Sequence, residues 1–219
     1  MKNRKLTFAF AVAVVIASIS LSGYAQSSKR TITKTDRFDF GAGGTLSVVG
    51  APNGSIKITG GSSNEIEINA TIRLEAPTEA DLNVLALVTT FVLQEASGKV
   101  SILSSGTHNK LGDKKAWKKF PKTLLGLPFR IDYVIRVPRY CDLDVNGGKG
   151  DIEISGVEGT FKVASIESNT KLNLIGGGIA ATFGAGTVDI TMPDRSWRGN
   201  MIDVALASGT MTAHLPSSI

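Results

Sequence analysis

Three pairs of carboxylates lie two residues apart in segments with strand-like alternation: Asp142 and Asp144, Asp151 and Glu153, and Glu65 and Glu67. Residues i and i+2 of a strand share a face, so each pair could present two carboxylates to one ligand, as glycosidases require. Ordinary polar-out alternation predicts the same pairs. A carbohydrate-active enzyme therefore stays an alternative, in which both pairs between 142 and 153 would line one groove, and no catalytic residue is assigned.

A second group of residues with chemical potential is basic. Residues 108–122 contain six lysines and one acid, Asp113, with Trp117 and Phe120 between them. Lysines with an interleaved aromatic suit an anionic surface such as phospholipid, lipopolysaccharide or acidic polysaccharide. The alternative is a solvated loop whose two aromatic residues pack back onto the body. The predicted anionic-surface contact consists of Lys114, Lys115, Trp117, Lys118 and Lys119.

The remaining reactive residue types are sparse. A single cysteine excludes an internal disulfide and a Cys-based zinc site. Cys141 has no neighbouring cation to lower its pKa, which predicts a half-buried strand residue and no nucleophile. Only His108 and His214 could serve a histidine site. The G-x-G-x-x-A pattern at 176–181 lacks the helix and acid of a dinucleotide site and predicts a tight turn. We expect no metal and no cofactor.

The N-terminus carries a targeting signal. Lys2, Arg4 and Lys5 precede a mainly apolar run over residues 6–17, and small residues stand at −3 and −1 of a cut after Ala25. This pattern is typical of a secretory signal peptide over residues 1–25, with an uncleaved anchor as the alternative. Cleavage would leave no transmembrane span. We therefore expect a periplasmic, cell-surface or secreted protein that binds no nucleic acid.

Charge and composition support one globular domain. The 219 residues are 42% hydrophobic, which excludes a disordered chain. Removing residues 1–25 takes away three cations and no acid, so the net charge falls from +5 to +2. Because residues 108–122 contribute +5 of formal charge, the rest of the processed chain is at −3. The positive charge is thus concentrated in the basic loop.

Short strands must position these residues. Apolar and polar residues alternate in many segments, and glycine or asparagine pairs separate them. The alternating segments are 55–59, 65–69, 131–137, 151–154, 171–174, 187–190, 202–206 and 210–215. A degenerate unit of one strand and one tight turn recurs, which favours a β-solenoid or β-helix-like stack, with a β-sandwich as the alternative.

Two local features depart from this pattern. Residues 78–87 begin with Thr78 as a candidate cap, and Leu82, Leu85 and Ala86 have helical spacing, so they predict one short helix. Residues 88–93 and 99–103 flank the turn at Ser97-Gly98 and predict a β-hairpin.

The segment Ile131–Pro138, followed by the Gly-punctuated run Leu143–Gly159, resembles the bacterial putative adhesin family, the domain of unknown function 4097. The resemblance covers about residues 35–216. It implies a mainly β, solenoid-like extracytoplasmic protein without catalytic residues. The chain departs from the family in a longer, more basic connection at 104–127. Its end at Leu215 to Ile219 also follows a strand directly, where the family often continues with further rungs.

These observations predict a signal peptide at 1–25, a flexible segment at 26–34, and an adhesin-like β domain at 35–219 with a basic loop at 105–127. We expect a non-catalytic binding or structural protein of the cell envelope. Its partner would be an anionic envelope lipid or polysaccharide, or, as a further alternative, another protein.

Overall fold

The computed structural model describes residues 27–96, 98–193 and 201–215. Twelve strands lie in this range: β1 (Ser28–Asp39), β2 (Thr45–Val49), β3 (Ile56–Gly61), β4 (Glu65–Ala76), β5 (Thr90–Ala96), β6 (Lys99–Ser105), β7 (Phe129–Pro138), β8 (Asp142–Lys149), β9 (Ile152–Ser155), β10 (Phe161–Asn173), β11 (Ile179–Thr191) and β12 (Ile202–His214). Two helices, α1 (Glu79–Val88) and α2 (Lys114–Lys118), and a 3-10 turn at Lys122–Leu124 complete the described elements. The predicted signal peptide and its cleavage site after Ala25 lie outside the described residues.

All twelve strands belong to one mixed sheet. Ten of them follow the order β1-β4-β7-β3-β9-β10-β8-β2-β6-β5, and β11 and β12 extend from β10 off this path. The pairs β1–β4, β4–β7 and β5–β6 are antiparallel. The other eight pairs are parallel. The sheet therefore combines hairpin-like and crossover connections in one hydrogen-bonded surface.

The two ends of the ten-strand path approach each other. Lys34 of β1 donates a hydrogen bond from Nζ to the carbonyl oxygen of Phe91 in β5, at 2.9 Å, and lies over the Phe91 ring. The Phe91 ring also packs edge-on against Tyr133 of β7, at 6.1 Å between centroids. The Tyr133 hydroxyl and Ser104 Oγ are 2.8 Å apart, and burial raises the pKa of the tyrosine to about 12. The sheet is thus nearly closed and barrel-like around one apolar core.

This architecture corrects the predicted fold class. The chain is mainly β, but it is neither the solenoid expected from the recurring unit nor the two-sheet sandwich. β3 lies between β7 and β9, and β2 lies between β6 and β8, so strands distant in sequence alternate along the path. The prediction was wrong because alternation reports only that one face is buried. It does not report which strand forms the neighbouring hydrogen bonds.

The long strand β10 bends near its middle, and its two halves pair with different strands. Its first half pairs with β8 through Phe161–Glu167, and its second half pairs with β9 through Thr170–Asn173. At the bend, the buried hydroxyls of Ser165, Ser168 and Thr170 form a chain with oxygen–oxygen distances of 2.6 and 2.8 Å. β11 and β12 stack on β10 in parallel and follow the same bend.

The local predictions of helix and hairpin are confirmed. α1 occupies the expected position, and the Thr78 hydroxyl caps it by accepting a hydrogen bond from the Asp81 N–H at 3.1 Å. Leu82, Leu85 and Val88 are its buried side chains. β5 and β6 pair antiparallel as the two arms of the predicted hairpin, from Thr90 with Ser105 to Ala96 with Lys99.

One N-terminal expectation differs from the structure. Residues 28–34 fall in the segment predicted to be flexible, yet they form the first half of β1 and pair residue by residue with β4. Charged residues fill much of this segment, so its alternation of half-buried and exposed positions is weak in the sequence. Hydrogen bonding to β4 along its whole length holds this segment in the sheet.

A carboxylate on β7 links three elements. Asp132 accepts hydrogen bonds from the backbone N–H and the hydroxyl of Ser55, at 2.9 and 2.8 Å, and pairs with Arg130 and Arg73. Partial burial opposes ionisation, but the bonds from Ser55 and the Arg130 guanidinium outweigh it, so the pKa of Asp132 is lowered. The ionised form therefore stabilises the join between β4, β7 and Ser55, the residue that directly precedes β3.

We expect Asp132→Asn to lower the free energy of unfolding by about 2 kcal/mol at neutral pH, because bonds to an ionised acceptor are replaced by weaker neutral ones. A lowered folded pKa gives stability above the ordinary carboxyl pKa of 3.8, and this stability is lost as the pH falls through the folded value. The difference between wild type and variant should shrink in acid. Urea unfolding at several pH values measures it. Asp151→Asn is the control, because Asp151 is exposed and accepts one 3.2 Å bond from Asn169.

Candidate functional site

The basic residues lie on an insertion between β6 and β7. We call residues 110–122 the lysine segment. Its helix α2 has one turn, and Asp113 caps it by accepting a hydrogen bond from the Lys115 N–H at 2.8 Å. The only acid of the segment therefore accepts a backbone hydrogen bond at the start of α2.

Apolar contacts fasten the lysine segment to the body. Trp117 and Phe120 are 5.0 Å apart between ring centroids, and both pack against the core. The Trp117 indole N–H donates to the carbonyl oxygen of Leu111 at 2.6 Å. Leu124, just beyond the segment, is buried. Trp117 is thus half-buried and anchors the segment, which is the packing expected in the alternative interpretation of this loop.

The lysine side chains of the segment point into solvent. All six, at positions 110, 114, 115, 118, 119 and 122, are exposed. Within the described parts of the chain, none of them has a carboxylate within ion-pair distance, whereas eleven ion pairs engage other cations. Lys110 and Lys122 thus join the four predicted lysines on the exposed surface of the lysine segment. This surface can attract phosphate or carboxylate groups but offers no nucleophile or base.

The carboxylate pairs do not form a common groove. β8 carries Asp142 and Asp144, and it pairs with the first half of the bent strand β10. Glu153 of β9, preceded by Asp151, lies beside the second half. The two pairs therefore sit on different sides of the bend.

Each of these four carboxylates already has a polar partner. Asp142 accepts from the Thr160 N–H at 2.7 Å, and Asp151 from the Asn169 side chain at 3.2 Å. Lys99 pairs with Asp144 at 2.7 Å, and Lys57 pairs with Glu153 at 2.8 Å. The third pair, Glu65 and Glu67, lies on β4, where Arg37 pairs with both carboxylates and Arg136 also pairs with Glu67 at 3.7 Å. These contacts are those of polar groups on the outer face of a sheet.

The two histidines and the glycine-rich turn considered in the sequence lie in different places and form no common site. His108 precedes the lysine segment and lies 5.5 Å from Phe129 between ring centroids, and burial lowers its pKa. His214 ends β12 in an exposed position. Gly176–Gly178 form the turn between β10 and β11, and the strand β11 follows them, as predicted for a turn. Among the residues described, no group of three His, Cys, Asp or Glu side chains could hold a metal ion.

Cys141 departs from its prediction in one respect. It directly precedes β8 and is 1% exposed, so it is fully buried and not half-buried in a strand. Burial raises the pKa of its thiol to about 12. The thiol therefore stays protonated at neutral pH and is a poor nucleophile, as expected.

Sequence reasoning missed an apolar cleft at the seam between the two ends of the sheet. Phe38 and Phe40, at and just beyond the end of β1, face Leu93 of β5 and Val100 of β6 across it. These residues are more than fifty positions apart in the chain, so no local pattern could bring them together. In the described portion of the chain, no helix combines the length and apolar character needed to cross a membrane.

Comparison with known proteins gives alignments to solved structures at low sequence identity. No protein-family model and no curated protein matches the chain, so membership of the domain of unknown function 4097 is not confirmed. A putative cell adhesion protein from Clostridium sporogenes ATCC 15579 aligns with 84% of this chain and 99% of its own, at 11% identity and a TM-score of 0.45. A putative adhesin from Bacteroides fragilis NCTC 9343 aligns with 86% and 98%, at 10% identity and a TM-score of 0.25.

A putative adhesin from Parabacteroides merdae ATCC 43184 aligns with 82% of this chain and 95% of its own, at 9% identity and a TM-score of 0.21. All three aligned proteins share 11% identity or less with this chain, and all three TM-scores are below 0.5.

Proposed function

We propose that this chain is a non-catalytic, extracytoplasmic binding protein that attaches to an anionic surface of the cell envelope through the lysine segment. The observation that carries the proposal is the exposure of six lysines, none of which has a carboxylate partner among the described residues, on an insertion that is itself fixed to the core. The N-terminal pattern of a secretory signal supports delivery to the envelope.

Electrostatics explains why these lysines matter more than the net charge. Most other lysines and arginines pair with acids, so their fields are largely cancelled close to the surface. Six uncompensated lysines within thirteen residues create a local positive potential that attracts phosphate or carboxylate groups. Anchoring by Trp117 and Phe120 fixes the backbone that carries the lysines, so less order is lost when they bind.

The test measures binding of residues 26–219, which include every described strand and helix, to vesicles. Phosphatidylglycerol-containing vesicles are compared with pure phosphatidylcholine vesicles, and a soluble acidic polysaccharide is a third arm. We expect binding to the anionic vesicles, or to the polysaccharide, that weakens from about 0.1 M to about 1 M salt as the screening length falls from ~10 Å to ~3 Å.

The arms separate the two sources of anionic groups. Binding to vesicles alone assigns a lipid headgroup, and binding to the polysaccharide alone assigns a sugar acid. Equal binding to anionic and neutral vesicles, or binding insensitive to salt, would contradict the proposal, because neither depends on charge.

A further inference from the structure

We propose that a second copy of this chain pairs with β12, so that two sheets join edge to edge across a two-fold axis between Ser208 and Gly209. The inference rests on the edge that β12 leaves open, on its lack of charge and on the match of β12 with its own reversed copy. It does not depend on the lysine segment.

The edge of β12 exposes what the rest of the sheet buries. β12 pairs with β11 on one side, and within the described residues no strand pairs with its other side. Ile179 and Val188 of β11 are 0% and 2% exposed, but their neighbours in β12, Ile202 and Met211, are 39% and 47% exposed. The inward apolar row of the sheet therefore continues into β12 and ends uncovered.

The charge of β12 sets it apart from the opposite end of the sheet. β1 carries six charged residues among its twelve, which is the usual way in which an edge strand resists pairing with other chains. Among Asp, Glu, Lys and Arg, β12 contains only Asp203, and it also contains His214. At ~3.3 Å per residue, its thirteen residues offer an edge about 43 Å long.

The bend makes β12 complementary to itself. By its register with β11, β12 points Ile202, Val204 and Leu206 inward before the bend, and Met211 and Ala213 inward after it. A two-fold axis at the bend pairs residue i with residue 417 − i of the second copy, antiparallel to it.

This register places apolar side chains opposite apolar ones and an acidic side chain opposite a histidine. Leu206 then lies opposite Met211 of the second copy and Val204 opposite Ala213, all on the inward face. On the outward face, the Asp203 carboxylate lies opposite the His214 imidazole, which can donate to it. A register shifted by one residue would place inward apolar side chains opposite outward threonines.

The first test is sedimentation equilibrium of residues 26–219. We expect a reversible dimer at micromolar concentrations. Met211→Lys places a charge in the inward row and should weaken the dimer at least tenfold. Thr212→Lys, with the same charge on the outward face of the next residue, should leave it within about twofold. Circular dichroism checks that both variants fold.

The second test traps the register. Ala207 and Thr210 are outward residues that the two-fold axis brings opposite each other, at a separation suited to a disulfide. Mixing an Ala207→Cys chain with a Thr210→Cys chain should give a cross-linked dimer under oxidation, whereas either chain alone should not. Cys141 is buried and does not compete.

Three results would overturn the proposal. The wild-type chain could stay monomeric at about 100 µM. Met211→Lys could dimerise as well as Thr212→Lys. Finally, cross-linking could be as efficient in either single variant as in the mixture.

Discussion

Replacing Gly186 with alanine should lower the free energy of unfolding by at least about 3 kcal/mol, enough to leave a domain of ordinary stability near its unfolding threshold. Gly186 lies at the bend of β11 with φ of +126°, a conformation that residues with a side chain rarely adopt. An added Cβ would also stand 2.0 Å from the carbonyl oxygen of Ser168 in β10. That oxygen belongs to the backbone of β10, which is paired with β11. Neither strand can therefore move away without breaking hydrogen bonds between them.

Two other glycines separate the causes. Gly43 has φ of +80° but open space around its Cα, so Gly43→Ala should cost only the conformational strain, about 1 kcal/mol. Gly41 has neither a positive φ nor a close neighbour, and Gly41→Ala should change stability by less than about 0.5 kcal/mol. Urea unfolding of all three variants tests the order. If Gly186→Ala were as stable as Gly41→Ala, the close stacking at the bend would be wrong.

Such bends explain part of what the sequence could not predict. The alternating segments 202–206 and 210–215 look like two short strands separated by glycine, but they belong to the single strand β12. Glycine at 209 does not end the strand. It lets the backbone turn while β11 and β12 stay paired on both sides of the bend. The alternation of inward and outward side chains shifts by one residue at this bend. In the sequence, such a shift looks like the end of one strand and the start of another.

The predictions that succeeded depend on neighbours in the chain. Thr78 and the leucine spacing that follows it predict α1, and the turn at 97 and 98 predicts the hairpin, because caps and tight turns act over a few residues. The order of strands depends on contacts between distant segments, such as β3 between β7 and β9. Many strands of this chain have the same alternation, so the pattern does not tell which strand lies next to which. For this reason the sequence pattern alone predicted the wrong architecture.

The candidate site divides in the same way. The concentration of lysines was visible as composition, and their exposure follows from the cost of burying charge. The role of Trp117 was not visible, because its partners Leu111 and Phe120 are consistent with either an inserting or an anchoring aromatic residue. The sequence could not decide between a catalytic and a structural role for the carboxylate pairs. Their ion pairs with residues such as Lys57 and Lys99 depend on which strands lie side by side.

Changing Lys114, Lys115, Lys118 and Lys119 to glutamine should weaken binding to anionic vesicles about a thousandfold. A lysine close to an anionic membrane contributes about 1 kcal/mol, so four of them contribute about 4 kcal/mol, and each 1.4 kcal/mol is a factor of ten. The fold should be unaffected, because these side chains are exposed and make no ion pair among the described residues. The measurement is co-sedimentation with phosphatidylglycerol-containing vesicles at about 0.1 M salt.

A matched variant distinguishes a local surface from net charge. Changing Lys29, Lys149, Lys162 and Lys171 to glutamine removes the same four charges from β1, β8 and β10. Lys29 and Lys149 belong to exposed ion pairs, whose loss costs little stability. If attachment depends on the lysine segment, this variant should bind within about tenfold of wild type, because the local field that meets the membrane is retained. Equal losses in both variants would mean that overall charge, and not the anchored lysine segment, governs attachment.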